Sequence, residues 1–382
     1  MRPKIFVVSA VLLLVAGFVM LDHHEVRAGE VNPASGYKVL DPIHHGNLTV
    51  FPVVANKSYP TGEFLTLDEG LHSGEVVVTE AGSVQGLVRR HGTPVRRYEG
   101  AEVNRLVLVN NSKRPLLLLA GEIVSGGKQD RVIGKDRIVP PESDPIDLSV
   151  FCVEPGRWVA TTEHFGASEA LYGKRDGKSI GGPVPMAAMV QPSVRAKAMA
   201  DKDQNQVWNE VNKQKLAMTE QVTVNAPAVA GNLRQMTSYA KVNENAEVRK
   251  QVDAVALPIE QSYHSLIHQL RDRNAVGVVV AVNGRIIWAD LFASTDLLSK
   301  YWPKLVRSYA SEAVVTRAKE MDVTTKQADA FLADMEGRRQ MIESEPGVYR
   351  HTEVTGDDFK AFSLTSLLPK TGFDLHIAKM AD

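Results

Sequence analysis

VGVVVAVNGRIIWADLF fills Val276–Phe292. Two apolar runs, Val276–Val282 and Arg285–Phe292, flank Asn283-Gly284. Asn and Gly tolerate the positive φ that both central positions of a type I′ turn need, and that turn matches the twist of paired strands. The stretch therefore predicts an antiparallel β-hairpin. Its surroundings have a different period. Upstream, Ile259, Tyr263, Leu266 or Ile267, and Leu270 recur at helical spacing. Downstream, Asp296 is the expected N-cap of a helix that turns Leu297, Leu298, Tyr301, Leu305, Tyr309 and Ala313 inward. A hairpin set between helices makes this half of the chain α+β.

The same reading extends in both directions. A helix is expected across Ser193–Met218, with Val207, Trp208 and Val211 on one face, and another across Thr324–Glu345. Phe359–Leu368 and Phe373–Lys379 return to strand. From Tyr37 to Trp158 the texture is β, with Leu48–Val54, Glu75–Thr79, Val84–Val88, Arg105–Val109, Leu116–Leu119 and Leu148–Val153 separated by turn residues. Such strands without intervening helices predict an antiparallel β sandwich or partly open barrel. The expected organisation is thus α+β: a β-rich domain over 37–160, a Gly/Pro-rich loop or linker over 161–192, and an α+β region over 193–382 that packs with the β domain or stands apart. Residues 166–185, crowded with Gly and Pro, are expected to move relative to the β core.

Composition narrows the function classes. The 382 residues carry 44 Lys plus Arg against 45 Asp plus Glu, so no basic excess argues for nucleic acid. Arg2 and Lys4, the uncharged run Ile5–Leu21 and the small residues of Val26-Arg27-Ala28 match the three parts of a secretory signal peptide over 1–28. The expected location is periplasmic or extracellular, with a membrane contact only if that segment stays uncleaved as an anchor. Cys152, the single cysteine, alternates with apolar neighbours and is expected to be buried and unpaired.

One polar stretch interrupts the β half. Gly121 and Glu122 follow four leucines, and Gly126, Gly127, Lys128, Gln129, Asp130 and Arg131 come next. About ten residues read as a glycine-flexed polar loop rather than a tight hairpin. Lys128 and Arg131 could hold a phosphate, and Glu122 or Asp130 could accept from sugar hydroxyls or serve as a base. The alternative is a solvated loop whose charges pair with one another. Glu154-Pro155-Gly156-Arg157-Trp158 closes a nearby strand with a Pro-Gly turn, where Glu154 and Arg157 could pair above Trp158. The two segments are expected to form opposite walls of one cleft, with Arg131 pairing to Glu154 or to a ligand anion. The candidate ligand-binding residues are Glu122, Lys128, Gln129, Asp130, Arg131, Glu154, Arg157 and Trp158. No metal site is expected: His264 and His268 are four apart, but Ser265 stands where an HExxH motif needs glutamate, and the adjacent His44 and His45 make a poor chelate.

These motifs carry a resemblance. Gly121-Glu122, Gly127 to Arg131, Val139-Pro140-Pro141 and Cys152 to Trp158 resemble the ARG and rhodanese-phosphatase-superfamily-associated protein domain, ARG standing for ADP-ribosylglycohydrolase. Val280–Arg285, Asp290-Leu291-Phe292 and Tyr301–Leu305 are similar as well, so the resemblance spans roughly Tyr37 to the C-terminus. Two departures stand out. Ile123 replaces the second acid of a GEE motif, and Asp130 the asparagine of KQNR. The resemblance implies a link to ADP-ribose chemistry by association only. The function expected is an exported small-ligand-binding or regulatory module for a small anionic or sugar-containing ligand. The alternative is an enzyme acting on an ADP-ribose-like or phosphoester substrate. No cofactor is identified.

Overall fold

A computed structural model describes residues 36–81, 105–158, 161–162, 164–167, 174–175, 178–179, 188–269, 274–317 and 322–382. The expected signal peptide over 1–28, the Val84–Val88 strand and most of the 166–185 stretch lie outside the described residues. The hairpin forms as read. Ala275–Val282 pairs antiparallel with Arg285–Phe292, and Asn283 and Gly284 take φ of 51° and 70°. It sits in the middle of a nine-stranded sheet. Leu48–Ala55 pairs on one side of it and Asp374–Ala381 on the other, followed by Phe359–Ser366, Tyr349–Thr355 and Arg338–Glu345. The expectation of a β-rich domain over 37–160 meets a different pairing here: Tyr37–Val39, Ile43–His45 and Leu48–Ala55 join the C-terminal half.

Alternation along the hairpin explains why this sheet is buried on both faces. Val278 and Val280 face a large core, packed under the Ala246–Gln269 and Thr295–Val315 helices. Val279 and Ala281 face the opposite way, onto Ala328 and Leu332 of the short Thr325–Ala333 helix. Polar tips are anchored at the helix contacts. Tyr263 donates to the Gly277 carbonyl at 3.1 Å, and Tyr301 to the Leu117 carbonyl at 3.0 Å. The expected inward face of the second helix is buried throughout: Leu297, Leu298, Tyr301, Leu305, Tyr309 and Ala313. Its cap, however, is Ser294, whose hydroxyl accepts from the Leu297 amide; Asp296 lies in the first turn.

Apart from the two-stranded ribbon of Lys174–Arg175 and Lys178–Ser179, the remaining strands form the sandwich. A six-stranded sheet contains Val76–Glu80, Arg105–Asn110, Ile146–Cys152, Arg131–Ile133, Ile123–Ser125 and Gly166–Ala167. A three-stranded sheet contains Leu65–Thr66, Leu116–Leu118 and Arg137–Val139. Leu106, Leu108, Leu116, Leu118, Ile133 and Val150 fill the space between them. Cys152 is buried and forms no disulfide.

Three further expectations are corrected. Thr324–Glu345 is not one helix. A capping box at Thr324 and Gln327 starts it, but helix ends at Ala333, and Arg338–Glu345 is an edge strand whose exposed polar residues carry no apolar period. Ser193–Met218 is also broken. Pro192–Ala196 runs into a π-helical turn, Lys197–Asp201; Lys202 then adopts φ 54°, and Asp203 caps a new helix, Gln204–Asn225. Finally, the ten-residue loop contains a strand: Ile123–Ser125 pairs with Arg131–Ile133, so only Gly126 to Asp130 form the hairpin loop.

Candidate functional site

The structure brings the 126–131 loop and the 154–158 turn together. Gln129 Nε2 donates to the Glu154 carbonyl at 3.0 Å, and the Asp130 amide to the Glu154 carboxylate at 3.1 Å. Arg157 donates to the Gly127 carbonyl at 2.9 Å, and pairs with Glu154 at 2.5 Å and with Asp130 at 3.6 Å. Arg131, expected to meet Glu154, donates instead to the Gln129 carbonyl at 2.8 Å, because Arg157 reaches that carboxylate first. The Asp130 carboxylate accepts from the Gly126 amide and the Ser238 hydroxyl. Trp158 is 42% exposed, with the Lys128 ammonium 5.0 Å and the Arg131 guanidinium 5.8 Å from its ring centroid. The hydrogen bond with Glu154 holds the Arg157 guanidinium above its usual range, while burial pushes the Asp130 carboxyl up. The two turns fasten each other. Gly127 permits this, since its φ is 49° and a Cβ there would strike the Phe165 ring.

Glu122 goes elsewhere. Its carboxylate is fully buried, pairs with Lys304 and accepts from the Leu119 amide at 2.7 Å. Asp68 holds the other side of the same ammonium at 2.5 Å. Burial alone would lower the Lys304 amine; the two carboxylates outweigh it and keep the ammonium charged. Helix Thr295–Val315 is thereby tied to the β sandwich by a charge, besides the Tyr301 hydrogen bond.

A cavity of about 350 Å³ opens where the two sheets and the broken helix meet. Gly134, Lys135, Ser149, Val150 and Phe151 come from the sandwich. Ala198, Met199 and Lys202 come from the π-helical turn, and Ile342, His351 and Phe362 from the nine-stranded sheet. The volume lies in the range of small-ligand sites. His351 is 2% exposed, and neither ring nitrogen has a hydrogen-bond partner. Phe362 stacks against it, ring centroids 6.0 Å apart. Burial holds the imidazole below its usual range, so it is neutral at pH 7. Two cations border the cavity: Lys135 pairs with Glu343, and Lys202 with Glu353 at 3.1 Å.

Behind this wall lies a second polar cluster with no free acceptor. Asp136 accepts from the Ala120 amide at 2.7 Å and meets His376 Nδ1 at 2.6 Å. His376 Nε2 meets Asp290 at 3.0 Å. The other Asp290 oxygen takes Arg195 at 2.9 Å and the Tyr309 hydroxyl. Burial would raise both carboxyls, but His376 and Arg195 hold Asp136 below its usual range, and Arg195 and His376 do the same for Asp290. Burial opposes the His376 charge; Asp136 and then Asp290 overcome it, so its pKa is raised. Two cations thus face two anions. Arg195 also lies 4.8 Å over the Trp288 ring. Gly121 lets it pass: φ is 96°, and a Cβ would sit 2.9 Å from the Arg195 side chain. An acid–imidazole–acid row suggests catalysis, yet all its members are enclosed and bonded to one another.

None of the cavity's polar residues was singled out in the sequence. Lys135 and Lys202 stand in no motif of the sequence, and His351 lies in Tyr349–Thr355, a strand with no clear apolar alternation. The available signal was weak: a histidine inside a strand flanked by two other strands. His264, by contrast, is exposed on its helix. Among the described residues no group of three or more His, Cys, Asp or Glu is arranged to hold a metal ion, and no helix is long and apolar enough to cross a membrane.

A family model described as the ARG and Rhodanese-Phosphatase-superfamily-associated Protein domain matches residues 36–377. No curated protein and no solved structure gives a match.

Proposed function

The chain belongs to the ARG and Rhodanese-Phosphatase-superfamily-associated Protein domain family, and we propose that it is an exported module that binds a small anionic ligand, such as a sugar phosphate, in the cavity beside His351. One observation carries this reading. The wall of a ligand-sized cavity presents a buried imidazole without a partner, set between two lysines and the aromatic rings of Phe151 and Phe362. A buried polar group left unpaired costs about 1–3 kcal/mol, and a ligand oxygen that met it would recover that cost on binding. The aromatic rings suit the apolar face of a sugar or a planar group. The reading is one of binding rather than catalysis because the enclosed Asp136–His376–Asp290 row is occupied by its own partners.

Ser149 lies at the exposed rim of the cavity, so Ser149→Trp would cover the mouth while leaving the core intact. Calorimetric titration with ribose 5-phosphate, glucose 1-phosphate, ADP-ribose and glucose should show binding of at least one anionic compound to the wild type and loss of it in Ser149→Trp. Unchanged binding in that variant, or no binding of any compound to the wild type, overturns the assignment. Export rests on the pattern of Arg2, Lys4, Ile5–Leu21 and Val26-Arg27-Ala28. Mass spectrometry of the protein from its host should find a start near Gly29. Peptides from residues 5–21 in the mature protein would count against cleavage.

A further inference from the structure

His351 is not surrounded by fixed positive charge. Lys135 and Glu343 offset one another, as do Lys202 and Glu353. Charged groups from three elements face the imidazole. Asp136 and Lys135 come from the segment after Gly134, Glu343 lies directly across on the edge strand, and Lys202 ends the π-helical turn. The neighbouring strand contributes only Leu364 and Phe362. An oxyanion entering the cavity adds negative charge to a neighbourhood that is already balanced or slightly acidic. Of the groups lining the wall, His351 is the one that can change its charge near neutral pH. Neither of its nitrogens has a hydrogen-bond partner.

Resting on the ligand reading above, we infer that a phosphate- or sulfate-bearing ligand bound in this cavity is held by His351 as an imidazolium, so that binding takes up a proton. The proton comes from solvent and settles on an imidazole nitrogen. One N–H then donates to the ligand oxygen, and the positive ring lies on the side of Asp136. The neutral form dominates without ligand because burial disfavours the charge; the ligand anion supplies the opposite charge that reverses this preference. The consequence is a coupling between pH and affinity. Where His351 is neutral in the free protein and charged in the complex, the apparent affinity falls by up to about tenfold for each pH unit.

Calorimetric titration with ribose 5-phosphate and with glucose 6-sulfate, each in Tris and in PIPES at the same pH, reads the proton directly as a difference in heat. The sulfate ester does not titrate, so any uptake seen with it belongs to the protein. Above pH 7 the phosphate ester is largely dianionic. The expected result is uptake approaching one proton per ligand with both probes, affinity that weakens from pH 7 to pH 9, and loss of the uptake in His351→Asn. Equal heats in the two buffers overturn the inference and leave the ligand reading standing, as does uptake that persists in His351→Asn. If neither probe binds, the ligand reading fails for these anions and the inference fails with it. Should His351→Asn not fold, the wild-type buffer comparison and its pH dependence decide alone.

Discussion

His376 and His351 occupy one row of the nine-stranded sheet, with Leu364 between them. Both are buried, and both feel the Asp136 carboxylate. At one end of the row, His376 is bonded through both nitrogens to carboxylates, and its proton is held more tightly than in water. At the other end, His351 has no partner and holds its proton less tightly. Residue type and burial are the same, so neither distinguishes a structural fastening from a site. The difference lies in whether the hydrogen-bonding capacity is already occupied, and it follows from what packs above each ring. The Asp136 segment and the Arg195 helix close over His376, whereas the cavity opens beside His351.

The largest effect is expected from unfastening the His376 end. Asp290→Ala would leave Arg195, Tyr309 and His376, all buried, without their shared acceptor. Removing one partner of a buried charge pair costs about 3–5 kcal/mol. Urea denaturation should show a loss of that order, or no folded protein. A loss below about 1 kcal/mol would mean that the cluster relaxes freely and is not a keystone.

The polar turns come next. Arg157→Ala removes the bonds to Glu154, Asp130 and the Gly127 carbonyl, and leaves the nearly buried Glu154 carboxylate with only the Asp130 amide and the distant Thr237 hydroxyl. Hydrogen bonds to charged groups contribute about 1.5–3 kcal/mol each. Arg157 is partly exposed, so the expected loss lies towards the lower figure, with anion binding at the His351 cavity retained. Binding that disappears while stability holds would move the ligand site to these turns.

These two regions also show what the sequence made legible. The Val276–Phe292 hairpin could be read because Asn283-Gly284 admits few conformations and because valine alternation serves a sheet covered on both faces. The Thr295–Val315 helix could be read because its apolar stripe is unbroken from Leu297 to Ala313. The polar turns could be read as neighbours, since both end strands of one β region. What they hold could not be read, because an arginine that fastens a turn and one that holds a ligand look alike in sequence. Arg338–Glu345 was hidden for another reason. As an exposed edge strand it needs no apolar alternation, and the helix before it lends its pattern up to Ala333. The cavity was hidden most completely. Its wall is gathered from residues 134–151, 198–202 and 342–362, and its shape depends on Lys202 breaking a helix that the apolar spacing carries straight through.

At the open end of the row, His351→Phe tests the unpartnered ring. A phenyl ring keeps the stacking with Phe362 and removes two unpaired nitrogens. The expected change is a gain of about 1 kcal/mol at pH 7, since an unsatisfied buried polar group costs about 1–3 kcal/mol, offset in part by the slightly larger ring. The sign of the pH dependence separates the two histidines. His376 has a raised folded pKa, so its contribution is complete below about pH 6.5 and is lost as pH rises through the folded value. His351 has a lowered folded pKa, so the unfolded chain binds a proton that the folded chain resists, and the wild type loses stability as pH falls through about 6.5. The gain of His351→Phe should therefore be larger at pH 5 than at pH 8. The reverse order would show that the ring is charged in the folded protein.

The smallest expected effect on stability, and the most selective on binding, belongs to Lys202→Met. Lys202 has a φ of 54°, but methionine is no worse than lysine in that conformation, so the backbone strain is common to both proteins. Its side chain is 46% exposed, and the ammonium pairs with Glu353 at 3.1 Å. An exposed pair of this kind contributes about 0–1 kcal/mol, and the methionine stem can cover the same apolar surface beside Phe362. Melting curves should therefore nearly superimpose. Affinity for an anion at the cavity should fall, because the substitution removes a positive charge from the wall and leaves Glu353 unpaired beside it. Added salt should weaken the wild type more than the variant, since screening acts on the attraction that Lys202 provides. Unchanged affinity with unchanged stability would place the anionic group of the ligand away from the Lys202 side, towards Lys135 and the rim at Ser149.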